Sequence, residues 1–129
     1  MAITKKFRFQ ELDVWQRAAA LSKKLFEIAD KLESSHKYRF AEQLRSATLS
    51  ITNNIAEGSG SLSVSEFKNF LNISRRSTFE VASMLVLFGE NGLLADPDVV
   101  PLLTELEEVS KMTLGFMKSL KSQAAKYQL

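Results

Sequence analysis

Apolar residues recur at intervals of three and four positions along most of the chain, and few residues interrupt this pattern. The spacing places apolar side chains on one face of an α-helix, and no segment shows the strict alternation of a half-buried β-strand. Only 5 Gly and 2 Pro occur among 129 residues, and most of them fall between the periodic segments. The pattern predicts an all-α fold with helices at about residues 11–33, 37–57, 63–89 and 97–125.

Short polar or glycine-containing segments separate the predicted helices. We interpret Gly58 as the residue that ends the second helix, because glycine adopts a left-handed conformation at the lowest cost. Ser63 and Glu66 have the spacing of a capping box, which predicts the start of the third helix. The remaining predicted breaks are Ser34-Ser35-His36, Gly89 with Gly92, and the N-cap and first-turn pair Asp96-Pro97.

Each predicted helix has an apolar face for a shared core. The face of the first helix consists of Leu12, Trp15, Ala19, Ser22, Phe26 and Ala29, broadened by Leu25 and Leu32. The face of the second consists of Phe40, Leu44, Ala47, Ile51 and Ile55. Since short connections favour antiparallel neighbours, the chain is expected to form an up-down-up-down four-helix bundle over residues 11–125, preceded by a basic arm at residues 1–10.

The composition limits the class of protein. With 45% hydrophobic and 25% charged residues, the chain has the composition of one soluble globular domain. It contains no cysteine, which is compatible with a reducing compartment, and we expect it to be cytoplasmic and not associated with a membrane. The net charge is only +2, too small to predict nucleic-acid binding by itself.

The distribution of charge is uneven. Residues 1–45 carry ten Lys or Arg against six Asp or Glu, and Lys111, Lys118, Lys121 and Lys126 make the last segment basic. Residues 89–110 have no basic residue and contain Glu90, Asp96, Asp98, Glu105, Glu107 and Glu108. This asymmetry fits complementary faces of an oligomer, a basic rim for RNA or DNA, or ordinary solvated helix faces.

The residues needed for common catalytic and metal sites are scarce. The single histidine, His36, occurs in one Glu-x-x-His spacing with Glu33, whereas a di-iron bundle needs two such pairs. The glycines after residue 57 lack the Gly-Lys-Ser/Thr ending of a phosphate-binding loop. We therefore assign no catalytic residue, metal or cofactor and expect a protein that is not an enzyme. A remote alternative is acid–base catalysis by Glu57 and Glu80.

Polar residues inside the second and third helices are more informative. Gln43, Ser46, Ser50, Asn54 and Glu57 follow one stripe of the second helix, and Ser74, Ser77 and Thr78 interrupt the apolar face of the third. Buried polar groups need hydrogen-bond partners, which favours a structural network between the two helices. The alternative is a ligand-binding patch made of Asn54, Glu57, Arg75, Arg76 and Glu80.

Several sequence blocks, in order along the chain, carry a resemblance to a known family. They are Leu12–Ala18, Gln43–Ala47, Ser50-Ile51 with Asn54–Gly58, and, in the third helix, Ser65-Glu66-Phe67, Phe70-Leu71, Ser77 and Glu80. This pattern resembles the bacterial four-helix-bundle family whose founding members are encoded in intervening sequences of 23S ribosomal RNA genes. Arg76 departs from the pattern, because the family commonly has glycine there; it is expected to point outward unless the local packing differs. Ser46 and Asn53 also differ from the usual choices.

The resemblance implies a left-handed antiparallel bundle that assembles into a ring, most often a homopentamer, without an established enzymatic activity. It assigns a shared polar network to Gln43, Ser50, Asn54, Glu57, Ser77 and Glu80. Related bundles include basic accessory proteins of retroelements that associate with a reverse transcriptase and nucleic acid. The resemblance makes RNA or DNA binding the leading hypothesis. The binding is expected to be weak, because the isoelectric point of about 8.9 is only mildly basic.

The expected nucleic-acid contacts are Lys5, Lys6, Arg8, Arg75, Arg76, Lys118 and Lys121. The alternative hypothesis is a structural or protein-interaction subunit, such as an accessory protein of a reverse transcriptase-type element. In that case the acidic segment at residues 90–108 would dock a neighbouring subunit or a separate protein.

Overall fold

The computed structural model describes residue 4 and residues 6–122, with residues 121 and 122 described by their backbone alone. A 3-10 helix at Arg8–Glu11 precedes four α-helices, which are α1 (Asp13–Ser34), α2 (Tyr38–Ser59), α3 (Val64–Glu90) and α4 (Asp96–Ser122). The prediction of an all-α four-helix bundle is confirmed. The helix ends differ from the predicted ones by at most two residues, except that the predicted end at residue 125 lies outside the described residues. The predicted boundary of the basic arm, at residue 10, falls inside the 3-10 helix.

The end of α1 has an unusual backbone conformation at His36, whose φ angle is 64°. The His36 N–H donates to the Glu33 carbonyl at 2.9 Å, and the Lys37 N–H donates to the Leu32 carbonyl at 2.8 Å. This pair of bonds forms a Schellman motif, which satisfies carbonyls that the helix end leaves without partners. His36 thus occupies the left-handed position that usually holds glycine.

The end of α3 repeats this motif with glycine. Gly92 has a φ angle of 72°, and the Leu93 N–H donates to the Phe88 carbonyl at 2.8 Å. Gly89, which was predicted to share in ending the helix, lies inside α3. The break predicted at Gly92 therefore has the expected physical cause, and Gly89 contributes through its carbonyl, which accepts from the Gly92 N–H at 3.1 Å.

Gly58 has a different role from the one predicted. The helix α2 continues through Ser59, and Gly58 is a buried residue inside it. A Cβ atom at this position would lie 2.8 Å from both Phe67 Cδ1 and Phe70 Cβ. The assignment of Gly58 as a left-handed helix terminator was wrong. The missing side chain instead lets the end of α2 approach the start of α3.

The starts of α3 and α4 are also resolved. Ser63 is the N-cap of α3, and its Oγ accepts from the Glu66 N–H at 3.0 Å. Only this half of the predicted capping box is present among the described residues. At α4 the Ala95 carbonyl accepts from the Asp98 and Val99 amides at 3.0 and 3.2 Å. Asp96 therefore lies in the first turn of α4 and is not its N-cap.

The four helices enclose one hydrophobic core. In α1 the buried face is rotated by about one residue from the predicted face, because Trp15, Ala19 and Phe26 are only half-buried. The buried positions of α1 are Val14, Ala18, Leu21, Ser22, Leu25, Ile28, Ala29 and Leu32. In α2 the predicted core positions are buried except Phe40, which lies exposed near the start of the helix.

Contacts between neighbouring helices fall in the order expected for antiparallel pairs. Between α2 and α3, Gly58 faces Phe67, Ser50 contacts Ser77, and Phe40 contacts Phe88. Between α3 and α4, Phe67 contacts Phe116 near one end, with ring centres 5.5 Å apart, and Gly89 faces Val99 at the other. Residue numbers thus rise along one helix as they fall along the next. The handedness of the bundle stays a prediction.

A row of ion pairs joins α1 to α4. Arg17 pairs with Glu108, Lys24 with Glu105 at 2.9 Å, and Lys31 with Asp98 at 3.3 Å. The three basic residues lie seven positions apart, so they follow one stripe of α1. Half of the acidic residues in the segment at residues 90–108 are therefore paired with α1.

Arg45 makes a comparable connection between α1 and α2. Its guanidinium donates to Asp30 and to Glu33, each at 2.8 Å. Hydrogen bonds to Asp30 and Glu33 raise the pKa of Arg45 above its ordinary value, so the cation persists throughout the usual pH range.

The described helices contain no segment with the length and hydrophobicity of a membrane span.

Candidate functional site

A hydrogen-bonded polar network joins the middle of α2 to α3. The Ser50 and Ser77 hydroxyl oxygens are 2.7 Å apart, and Asn54 Nδ2 donates to the Ser50 carbonyl at 2.8 Å and to its Oγ at 3.0 Å. Nearby, the Ser74 hydroxyl donates to the Ile51 carbonyl at 2.7 Å. The structure thus brings together Ser50, Asn54 and Ser77 from the predicted network. Ser74, which was also singled out in the sequence, adds a second cross-helix bond.

The other members of the predicted network lie on the surface. Gln43 and Glu80 line a cleft of about 390 Å³ between α2 and α3, together with Ser50. Both side chains are exposed and make no hydrogen bond to another described residue. Glu57 is exposed seven residues after Ser50, the last α2 residue of this cleft, which corresponds to ~10 Å along α2. Glu57 and Glu80 therefore do not form the carboxylate pair considered from the sequence.

Glu33 and His36, the one Glu-x-x-His spacing in the sequence, are engaged separately. The Glu33 carboxylate accepts from Arg45, and His36 Nδ1 lies 2.8 Å from the Tyr38 hydroxyl.

Arg8 is held against the bundle. Its guanidinium donates to the Ser59 carbonyl at the end of α2 and lies 5.9 Å from the centre of the Phe67 ring. Nearby, Phe9 contacts Trp15 edge to face, with ring centres 5.0 Å apart. Arg8 therefore fastens the segment before α1 to the junction of α2 and α3. Of the other cations predicted in this region, Lys6 is exposed and Lys5 lies outside the described residues.

The two consecutive arginines of α3 point in different directions. Arg76 is exposed, as expected from its position in the sequence pattern. Arg75 is half-buried, and its guanidinium carbon lies 5.0 Å from the centre of the Phe79 ring. The Nε atom of Arg75 is buried and has no hydrogen-bond partner in the described part of the chain. Arg75 and Phe79 thus form a cation–π pair at the edge of the core.

Arg75 and Phe79 line a groove between α3 and α4. This α3–α4 groove has a volume of about 410 Å³, and its lining includes Arg75, Phe79, Ala82, Leu103, Glu107 and Lys111. Its walls are mainly apolar, while Lys111 and Glu107 stand at the rim as an ion pair of 3.4 Å. Phe79 was not predicted from the sequence. The available signal was an aromatic residue four positions after an arginine and outside the apolar stripe.

Further cations continue along the two helices that form this groove. Lys68 lies seven positions before Arg75, and Lys118 lies seven positions after Lys111. The Phe67–Phe116 contact brings Lys68 and Lys118 to the same level of the bundle. Among the described residues, Lys68, Arg75, Arg76 and Lys118 have no acidic partner. Lys121 also belongs to α4, but its side chain lies outside the described residues.

A separate apolar cleft lies where α2 starts and α3 ends. This apolar cleft, of about 410 Å³, is lined by Phe40, Leu87, Phe88, Asn91 and Leu93. Leu87 exposes 52% and Phe40 exposes 40% of its surface, which is unusual for large apolar side chains that adjoin one another. The α3 residues Val86 and Ile73 are exposed as well.

Comparison with known proteins assigns a family. A sequence model described as "23S rRNA-intervening sequence protein" matches residues 10–115. A crystal structure of a protein of unknown function from the S23 ribosomal protein family of Bacteroides thetaiotaomicron VPI-5482 has a similar fold, with a TM-score of 0.77 and 20% sequence identity. The similarity covers 81% of this chain and 98% of that protein. No curated protein sequence matches the chain.

Proposed function

Because the chain belongs to the 23S rRNA-intervening sequence protein family, we propose that it is a non-enzymatic homo-oligomer, a pentameric ring in the cytoplasm, that binds RNA weakly. One observation carries the RNA part of this proposal. Acidic residues of α4 pair with α1, whereas Lys68, Arg75 and Lys118 lie on α3 and α4 and have no acidic partner among the described residues. These three cations make the flank of α3 and α4 basic, although the net charge of the chain is small.

The small net charge also explains why binding should depend on assembly. Five copies of a chain with charge +2 carry about +10 in total. An oligomer therefore presents several basic flanks to one RNA, and linked contacts raise the overall affinity well above that of one copy. Because phosphate binding releases counterions, the affinity is expected to fall steeply as salt increases.

The apolar cleft supports self-association. Leu87, Phe40 and Leu93 expose or border apolar surface at one end of α2 and α3, and burial of such surface drives most protein association. The side chains of Gln43 and Glu80, two residues of the family pattern, are exposed nearby and have no hydrogen-bond partner among the described residues. Contact with a second copy would give both the apolar and the polar residues partners.

One measurement tests both parts of the proposal. Light scattering during size exclusion gives the mass of the untreated protein, and the ratio of nucleic-acid to protein absorbance reports RNA that co-purifies. We expect the mass of five chains and retention of a 23S ribosomal RNA fragment at low salt that is lost at high salt. A monomeric mass would overturn the ring, and no RNA binding at low salt would overturn the RNA-binding function.

The alternative is a protein-interaction subunit, such as an accessory protein of a reverse transcriptase-type element, that docks through residues 90–108. It has less support, because Asp98, Glu105 and Glu108 are already paired with α1. Glu90, Asp96 and the exposed Val100 remain available on this segment. Co-purification of one defined protein at a fixed ratio, without nucleic acid, would favour this alternative.

A further inference from the structure

The α3–α4 groove combines an exposed aromatic ring with a cation that has no acidic partner among the described residues. Phe79 exposes 54% of its surface, although it lies beside buried residues of the core. Arg75 lies over the same ring, and its buried Nε–H has no acceptor among the residues that the structure describes. A buried donor without a partner is costly, so this geometry favours a ligand that supplies both a flat surface and an acceptor.

The walls of the groove suit a planar, partly polar group. Ala82, Leu103 and Leu106 supply apolar surface. Ser110 and Glu107 supply a hydroxyl and a carboxylate, which are groups that hydrogen-bond to the edge of a nucleobase. A phosphate alone would use neither the ring nor the apolar walls.

The surrounding cations suit a nucleic-acid backbone. Lys68 and Arg75 on α3 are two helical turns apart, about 10.5 Å, and so are Lys111 and Lys118 on α4. Each helix contributes one pair: Arg75 and Lys111 line the groove, and Lys68 and Lys118 lie beyond it at the level of the Phe67–Phe116 contact. A strand whose phosphates contact these cations would have its bases directed towards the groove.

We propose that the α3–α4 groove binds single-stranded RNA by stacking one unpaired base on Phe79, while Arg75, Lys111 and the flanking lysines contact phosphates. The proposal rests on the proposed RNA-binding function and specifies its site and the form of RNA. A base-paired duplex is excluded from this mode, because its bases are already stacked and only an unstacked base enters the groove.

Two substitutions of exposed phenylalanines give a matched test. Phe79→Leu removes the aromatic ring but keeps apolar bulk in the groove. Phe7→Leu makes the same change at a residue that exposes 65% of its surface and lies outside the groove. The assay uses the full chain in its natural assembly and measures the affinity for a short single-stranded RNA containing 2-aminopurine, whose fluorescence is quenched by stacking. The mass of each variant is measured in parallel.

We expect Phe79→Leu to weaken binding by about 5- to 150-fold and to abolish the additional quenching, since this is the usual loss when a base-stacking ring is removed. Phe7→Leu should bind like the unmodified protein, and the duplex of the same sequence should be insensitive to Phe79→Leu. Unchanged affinity of Phe79→Leu would overturn the stacking site while leaving the RNA-binding function intact. A changed mass would overturn it also, because Phe79 would then belong to a subunit contact. Failure of the unmodified protein to bind any RNA would overturn both proposals.

Discussion

Two glycines inside helices, Gly58 and Gly115, differ in the space around them. Comparing them distinguishes the effect of a close helix contact from the effect of glycine on helix stability. At Gly58 a Cβ atom would come within 2.8 Å of Phe67 and Phe70, whereas at Gly115 it would meet no atom within 4 Å. Gly58 therefore permits a close helix contact. Gly115 only weakens α4, because glycine lowers helix stability by roughly 0.5–1 kcal/mol relative to alanine.

We expect Gly58→Ala to lower the free energy of unfolding by about 1–2 kcal/mol, because overpacking outweighs the gain in helix propensity. The matched change Gly115→Ala should raise it by about 0.5–1 kcal/mol. Urea unfolding followed by circular dichroism measures both. A Gly58→Ala protein as stable as the unmodified chain would show that the ends of α2 and α3 separate without cost.

His36 and Gly92 occupy equivalent left-handed positions at the ends of α1 and α3. A side chain is disfavoured in this conformation by about 1–2 kcal/mol, and His36 recovers part of that cost through its contact with the Tyr38 hydroxyl. His36→Gly is expected to raise the free energy of unfolding by about 0.5–1 kcal/mol, and Gly92→Ala to lower it by about 1 kcal/mol. Thermal and urea unfolding check both changes. Stabilisation by Gly92→Ala would contradict the assigned conformation.

The contact between α2 and α3 is made by small hydroxyl side chains as well as by apolar ones. Ser50, Ser77 and Ser74 bridge the two helices near the middle of α2, and Gly58 allows close approach at its end. Small side chains keep the backbones near enough for hydroxyl groups to reach across. The Asn54 amide holds the Ser50 hydroxyl in place through a bond within α2.

A double-mutant cycle tests whether this bridge stabilises the helix pair. Ser50→Ala and Ser77→Ala should each lower the free energy of unfolding by about 0.5–1.5 kcal/mol. The double variant should lose less than the sum of the two, with a coupling energy of about 0.5–1 kcal/mol. Ser65→Ala, at an exposed position in the first turn of α3, serves as the control, and additivity of the two bridge variants would contradict a direct bond.

Periodicity was sufficient to predict the helices but not their rotation. In α1 the predicted buried face included Trp15, but the Trp15 ring is only half-buried and packs against Phe9 at the edge of the core. The neighbouring Val14 is buried instead. A helix that contacts two neighbours buries a wide stripe, and spacing alone does not fix the centre of that stripe. The ion pairs between α1 and α4 were similarly unpredictable, because they depend on the register of two helices far apart in sequence.

The candidate site was predictable only in part, for the same reason. The polar stripe of α2 identified Ser50 and Asn54, and the seam of α3 identified Ser77. Gln43, Glu57 and Glu80 carry the same sequence pattern but lie on the surface, where a single chain gives them no hydrogen-bonded role. The α3–α4 groove was not predicted, because Phe79 and Lys111 become neighbours only when α3 and α4 pack together.

Across the whole molecule, pairing of charges within the chain determines which surfaces remain available. The ion pairs of α1 with α4 neutralise one side, while Lys68, Arg75 and Lys118 on α3 and α4 have no acidic partner among the described residues. The apolar cleft lies at the opposite end of α3 from Lys68. Assembly and RNA binding can therefore use different parts of one helix without competing for the same residues.

This separation predicts that assembly can be disrupted without unfolding the chain. Leu87→Glu places a charge in the apolar cleft, where burial against a second copy would require desolvation of the carboxylate. We expect the mass measured by light scattering to fall to that of one chain, while the helical signal in circular dichroism is kept. RNA affinity should fall as well, because the contacts of several copies are no longer linked.

Leu62→Glu provides the control for this change. Leu62 exposes 81% of its surface in the connection between α2 and α3 and does not line the apolar cleft. The same leucine-to-glutamate change at this position should leave both the mass and the RNA affinity unaltered. If Leu87→Glu keeps the mass of the unmodified protein, the copies meet through another face. If it dissociates the assembly but RNA affinity is unchanged, a single basic flank is sufficient for binding and linkage between copies contributes nothing.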